Sequence, residues 1–304
     1  MKRLRRSMLF IPGNHPGMLQ NADVFGSDSV IFDLEDAVSL REKDSARNLV
    51  KNALMSVDFG QAERVVRINP LDTFHGPEDV KAMVSVFPDA LMIPKATAAR
   101  LREVDELITE LEASEKKDDF QISLIPIIES AEAVEDINHL LKASPRIIAA
   151  LLGAEDLTAE MGIQRTKKGE ELSYVRSRLA TACCAAKIDA IDTPFADTFD
   201  EEGLKADTLK GKSLGFTGKA AIHPAQIEGI HQVFAPTEEE ILEAERIVEA
   251  MQQAEKEGKG AVALDGQMVD MPIILRAEKL LRQAKAMGLT VEIEISEGGI
   301  RDAK

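Results

Sequence analysis

Two carboxylates stand where short apolar runs end: Glu129 closes IPIIES and Asp156 follows LLGAED. Carboxylate oxygens are hard donors, and a pair of them, completed by water and substrate oxygens, suits Mg2+. Glu155 competes with Asp156 for that role, and a solvated rim or a helix cap is the plainer reading of Asp156. A second acidic group lies in VIFDLEDAV, where period-two geometry puts Asp33 and Glu35 on one face and sends Asp36 the other way or into the following loop. Three charges beside Val30, Ile31, Phe32 and Leu34 are costly to bury without partners. The cluster therefore reads as part of an active site, against the plainer role of a helix cap or an ion pair with an arginine. Two cations also end apolar runs, Arg67 in VVRIN and Lys95 after LMIP. Arginine can clamp a carboxylate through two N–H groups or stabilise a developing enolate oxygen, whereas lysine offers a movable point charge. A structural salt bridge is the alternative for Lys95. Asn69 can align a substrate oxygen or form an Asx turn ahead of Pro70. Gly153 can let a ligand or backbone approach closely, and His223, beside Pro224, can touch substrate or support its loop.

These residues need elements that converge. Apolar runs recur at 8–11, 29–34, 64–68, 90–93, 122–128, 147–152, 188–191 and 216–221. Helix-length segments with apolar residues at helical spacing, such as 98–112 and 170–187, separate most of them. SMLFIP, LMIPK, ISLIPII and RIIAALLG are continuously apolar, the mark of strands covered on both faces, so a parallel sheet follows. Eight strand–helix units fit a (β/α)8 barrel better than an open doubly wound sheet. In a barrel, one strand, one helix and one return bring Glu129 and Asp156 side by side on the catalytic rim. Neither GxGxxG nor a Walker A loop is present.

Past Pro236 the pattern changes. An acidic first turn leads a helix with Ile241, Leu242, Ala244, Ile247, Val248 and Met251 on its apolar stripe, ended by glycines at 258 and 260. A turn at Asp265 and Gly266 precedes another helix over 273–287. The expected division is a catalytic barrel over 1–235 and a helical lid-bearing extension over 236–304. Asp270 lies ahead of Pro272, a position suited to capping that last helix.

The composition narrows the function. Of 304 residues, 53 are acidic and 37 basic, giving a net charge of -16, which disfavours binding of nucleic acid or anionic lipid by bulk electrostatics. No stretch approaches the roughly 20 apolar residues that cross a bilayer, and Pro12 and Gly13 interrupt the first apolar run, so a cytoplasmic protein is expected. The only cysteines, Cys183 and Cys184, are adjacent in an Ala-rich helical stretch and read as helix packing.

The ordered set RRSMLFIPG, FDLEDAV, REKDSAR, RVVRINPLD, MIPKA, IIESAEAV, LGAEDL, GFTGKAAIHPAQI and DGQMVDMPII resembles the citrate lyase beta subunit family. That family lies within the wider HpcH/HpaI group of pyruvate- and phosphoenolpyruvate-type barrel enzymes, and the resemblance covers nearly the whole chain. It implies that Glu129 and Asp156 bind Mg2+, that Arg67 contacts the substrate or thioester oxygen, and that Glu35 and Asp36 support the metal–water network. It further implies that Asp270 enters a neighbouring subunit's site, with Asp270 or Glu35 as the proton-transfer residue. The implied reaction cleaves a citryl thioester to oxaloacetate and an acetyl thioester. The thioester is of the CoA type, free or borne by a carrier's prosthetic group. The implied partners are an acyl carrier subunit, an acyl-transferase subunit and further copies of the chain in a trimer-based homo-oligomer. A stand-alone citramalyl-CoA, malyl-CoA or citryl-CoA lyase is the competing reading, and a catalytically silent scaffold a third.

Overall fold

Eight parallel strands close on themselves in the computed structural model, which describes residues 3–115, 121–256, 262–264 and 267–293. They are β1 (Ser7–Pro12), β2 (Ser29–Asp33), β3 (Glu63–Arg67), β4 (Ala90–Ile93), β5 (Ser123–Ile128), β6 (Ala149–Leu152), β7 (Asp189–Asp192) and β8 (Gly218–Ala221). Each pairs in parallel with the next, and β1 returns to β8. All eight coincide with the apolar runs of the sequence, because strands flanked by helices must be apolar on both faces. The helices between them include α1 (Pro16–Gln20), α2 (Lys43–Ser56), α3 (His75–Val84), α4 (Ala98–Glu115), α5 (Ala131–Glu135) and α6 (Ile137–Leu140). The series continues with α7 (Ala154–Met161), α8 (Ser173–Ala186), α9 (Glu201–Leu214) and α10 (Gln226–Phe234).

Alternate strand residues build two cores. Val30, Phe32, Val66, Leu91 and Leu124 point outward and pack with the helices. Met8, Ile31, Val65, Met92, Ile127, Leu151, Ile191 and Ala220 fill the barrel itself. With a period of two, the next inward positions toward the strand exits are Phe10, Asp33, Arg67, Glu129 and Gly153. The apolar filling thus gives way to charge at the C-terminal mouth.

The opposite mouth is closed by Arg5. Its guanidinium spans from Glu63 at the start of β3 (2.6 and 2.7 Å) to Asp189 at the start of β7 (2.8 Å), and Ser29 adds a hydrogen bond to Glu63 at 2.8 Å. The first residue of β8 must be glycine, since a Cβ on Gly218 would lie 1.8 Å from the Arg5 carbonyl oxygen.

The chain divides into two compact units, one over 5–234 and the other over 235–304 together with 1–4. Within the second, α11 (Glu238–Lys256) and α12 (Met271–Ala286) pack through Ile241, Ala244 and Val248 against Ala277, Leu281 and Ala284. Leu242 lies off this stripe and is 58% exposed, being a full 100° around the helix from Ile241. A short antiparallel pair, β9 (Val262–Leu264) and β10 (Gln267–Val269), precedes α12 and was not expected from the sequence. The glycines at 258 and 260 and the turn at Asp265 and Gly266 fall outside the described residues. No helix among the described residues is long and apolar enough to cross a membrane.

Candidate functional site

The site is built from Arg67 outward. At the last position of β3, its guanidinium forks onto Asp33 at the last position of β2, with Nε at 2.7 Å and Nη2 at 2.5 Å. The strand register places Asp33 opposite Arg67, so the fork follows directly from the pairing of β2 with β3. The remaining nitrogen, Nη1, lies 3.1 Å from Glu35 and 3.9 Å from Asp36. The cation also sits 5.0 Å over the Phe10 ring, a face that attracts positive charge. Burial pulls the Arg67 pKa down, but the hydrogen bonds and charge of Asp33 more than offset it and hold the group firmly cationic.

This geometry sorts the three acids of DLED. Asp33 and Glu35 are buried and Asp36 is exposed. Asp33 also accepts from the amides of Glu35 at 2.8 Å and Ala37 at 3.1 Å, so one carboxylate holds both the arginine and the loop. Sequence reasoning offered an ion pair with an arginine as the plainer role of the cluster, without saying which acid takes it, and the structure gives it first to Asp33. The signal was available in the inward spacing it shares with Glu35. Burial pushes the Glu35 carboxyl up to about 8; Arg67 opposes this, while Asp36, Glu129 and Asp33 add to it.

Glu129 follows β5 and is held beneath the turn after β6. A Cβ on Gly153 would fall 2.6 Å from the Glu129 Cβ and 2.8 Å from its Oε2, so only glycine leaves this acid its place. Glu129 also accepts the Lys95 amide. Lys95 adopts φ of 47°, a left-handed conformation that costs a non-glycine residue roughly 1 kcal/mol or more. That strain turns its N–H toward the acid. Lys95 therefore meets the site chiefly through its backbone, while its exposed ammonium acts on Glu129 only through charge. Burial raises Glu129 to about 7; the Lys95 amide opposes this and the charge of Asp156 adds to it.

Asp156 sits in the first turn of α7, exposed and close enough to Glu129 to act on its charge. Glu155 turns to Arg165, at 2.9 Å. The two carboxylates expected at adjacent strand exits thus come together. Among the described residues no group of three or more His, Cys, Asp or Glu side chains gathers as a metal cage. A hard cation held here would draw its other ligands from water and substrate, the habit of Mg2+.

The remaining expected residues take other places. Asn69 is buried, and its amide donates to the Leu34 carbonyl at 2.9 Å and to Asp79 at 2.6 Å, which commits both donors to the fold. His223 lies in the exposed turn after β8, its Nδ1 accepting from the Ala225 amide at 3.2 Å. Asp270 is the N-cap of α12, accepting from the Ile273 amide at 3.4 Å. Cys183 is buried and Cys184 exposed, both as free thiols.

The raised Glu35 carboxyl sets a pH dependence of stability. An unfolded-state glutamate releases its proton near 4.5, whereas folded Glu35 keeps it to about 8, so the folded state holds the extra proton between these values. Stability attributable to this group is full below the lower value and is lost as pH rises through the window. Glu35→Gln should accordingly melt several degrees above the wild type at pH 8 in the presence of EDTA, and close to it at pH 5. Calorimetry at the two pH values checks this, and an equal difference at both would contradict it.

Comparisons with known proteins identify the family. The model of the HpcH/HpaI aldolase/citrate lyase family matches residues 6–224. The citrate lyase subunit beta of Leuconostoc mesenteroides subsp. cremoris is 46% identical over 286 residues, covering 94% of this chain and 95% of that one. The L-malyl-CoA/beta-methylmalyl-CoA lyase of Rhodobacter capsulatus is 36% identical, covering 93% and 95%. The crystal structure of protein CitE from Mycobacterium tuberculosis in complex with magnesium, acetoacetate and coenzyme A superposes with a TM-score of 0.76 at 29% identity, covering 94% of this chain and 100% of that one. The chain belongs to the HpcH/HpaI aldolase/citrate lyase family.

Proposed function

We propose that this chain is a Mg2+-dependent carbon–carbon lyase that cleaves a citryl thioester to oxaloacetate and an acetyl thioester. The observation that carries the reading is the convergence of Glu129, Asp156 and the Arg67–Asp33 pair at one barrel mouth. Magnesium and coenzyme A in the related CitE structure support it. The citrate lyase subunit beta relative, more similar than the malyl-CoA lyase, favours a carrier-borne thioester over a free CoA ester. On that reading the chain works with an acyl carrier subunit and an acyl-transferase subunit, as a trimer-based homo-oligomer.

The residues fit the cation. Burial first, and the charge of Asp156 in addition, raise the Glu129 pKa, and a bound divalent charge would favour the ionised carboxylate against both. Bound there, Mg2+ would polarise the substrate's hydroxyl and neighbouring carboxylate oxygens. The hydroxyl proton passes to a base, the bond between the carbinol carbon and the thioester α-carbon breaks, and its electron pair becomes the enolate. The carbinol carbon is left as the ketone of oxaloacetate, and the enolate takes up a proton to become the acetyl thioester. Arg67 keeps Nε and Nη2 on Asp33, which leaves Nη1 as the donor for the enolate oxygen. Glu35 retains its proton near neutrality and serves as the acid rather than the base. Asp270 of a neighbouring copy is the proposed base.

Turnover with Mg2+ should be measured on citryl-carrier, citryl-CoA, citramalyl-CoA and malyl-CoA by release of the 2-oxoacid. Citryl-carrier is expected to be the best substrate. No turnover on any of the four would overturn the lyase reading, and turnover on free CoA esters alone would overturn the carrier-borne part. For Asp270, mixed oligomers of Asp270→Asn and Arg67→Ala subunits should regain activity that neither variant has alone. Verified mixed oligomers without recovered activity would show that Asp270 does not cross between copies, and full activity of Asp270→Asn would remove it from the reaction.

A further inference from the structure

REKDSAR is a sequence motif that the reaction leaves without a part. It opens α2 and sets Lys43 and Arg47 one turn apart on the same helix face. Lys43 is only 8% exposed, and its ammonium is directed to backbone. It donates to two consecutive carbonyls, Leu34 at 2.8 Å and Glu35 at 2.6 Å. These belong to the loop just past β2 that presents Glu35 to Arg67. On its amide side the same loop is held by Asp33, which accepts from Glu35 and Ala37. The Leu34–Glu35 peptide is thus held on both polar edges, its N–H by the Asp33 carboxylate and its C=O by the Lys43 ammonium, and the next peptide is held by the same ammonium through the Glu35 carbonyl.

Arg47 braces the same loop at one remove. Its Nε donates to Asp79 at 2.6 Å, and Asp79 accepts the Asn69 amide nitrogen and side chain at 2.9 and 2.6 Å. Asn69 then makes the second hydrogen bond to the Leu34 carbonyl. Burying an ammonium is unfavourable, and desolvation does lower the Lys43 pKa, against the pull of Asp33, Glu35, Asp36 and Asp79. A fold keeps such a charge where its donors have specific work, and here the two hydrogen bonds are both to the loop's backbone.

Resting on the lyase reading for its turnover readout, we propose that Lys43 is a positioning residue, whose ammonium grips the Leu34 and Glu35 carbonyls so that the Glu35 carboxyl stays beside Arg67. It acts through the loop and touches no reacting atom. Misplacement of a catalytic group by about 1 Å costs on the order of 100-fold in rate.

The test uses the full-length protein and Lys43→Met, which keeps the stem and removes charge and donors. In the folded variant kcat should fall about 10- to 100-fold, with KM within roughly threefold of wild type. Amide hydrogen exchange at Glu35, measured by NMR without substrate, should quicken about tenfold while amides of β5 and β6 do not change. Lys43→Arg, which restores charge and donors, should recover part of both. If Lys43→Met does not fold, Lys43→Gln, with one donor and no charge, carries the same readouts. Wild-type kcat in a folded variant, or exchange that rises equally throughout the barrel, overturns the proposal. If the wild type itself shows no turnover, the lyase reading fails, and exchange at Glu35 alone still decides whether Lys43 holds the loop.

Discussion

Asp156→Asn should fold normally and lose at least about 100-fold in lyase turnover, with Mg2+ affinity reduced in parallel. Removing a group that merely orients a metal ligand costs about 10- to 100-fold in affinity or activity, and loss of one of the two proposed charged ligands should exceed that. The fold should hardly notice. Asp156 is exposed in the first turn of α7, where a negative charge contributes roughly 0.3–1 kcal/mol against the helix dipole. The loss of charge also removes a neighbour that raises the Glu129 pKa, so the remaining carboxyl should ionise at lower pH than its wild-type value of about 7. Titration calorimetry with MgCl2 and steady-state turnover read the two effects. Normal metal affinity together with normal turnover would remove Asp156 from the site.

Arg67→Lys should cost about 100-fold in kcat, or roughly 3 kcal/mol of transition-state stabilisation, with a smaller change in KM. The fork onto Asp33 is the reason the substitution is so severe. Lysine keeps the charge, but one ammonium cannot satisfy both Asp33 oxygens and still offer a donor where Nη1 stands beside Glu35. Stability should fall as well, by about 1–3 kcal/mol, since Asp33 is 1% exposed and loses part of its pairing. Thermal melting and steady-state kinetics separate the two losses. An unchanged kcat with only a raised KM would make Arg67 a uniform binding residue.

The barrel was legible in the sequence because its strands are apolar on both faces, which makes each run conspicuous against amphipathic helices. The candidate site was legible to the extent that it sits at or just past run ends: Arg67 ends β3, Glu129 follows β5, and Asp156 lies in the helical turn after β6. Roles set by register or by backbone conformation were not. The bond of Asp33 to Arg67 depends on which residues of β2 and β3 lie opposite each other, a relation between distant segments. The contribution of Lys95 depends on its left-handed φ, which a non-glycine residue does not announce. Asn69, expected to face a substrate oxygen, is drawn inward by Asp79, a buried acid two elements away from the loop it helps to brace. The two-stranded pair before α12 escaped because three-residue strands carry too little periodicity to read.

Arg5 ties the order of synthesis to the order of folding. Its carboxylate at Asp189 lies 184 residues further along the chain, and β1 pairs at its far edge with β8, Ser7 against Lys219. The first strand of the barrel therefore has one of its two neighbours among the last barrel segments to emerge. Until then its backbone edge is open, a template for pairing with another chain. The closing ion pairs then form late and nonlocally, so they slow unfolding of the finished barrel more than they speed its assembly.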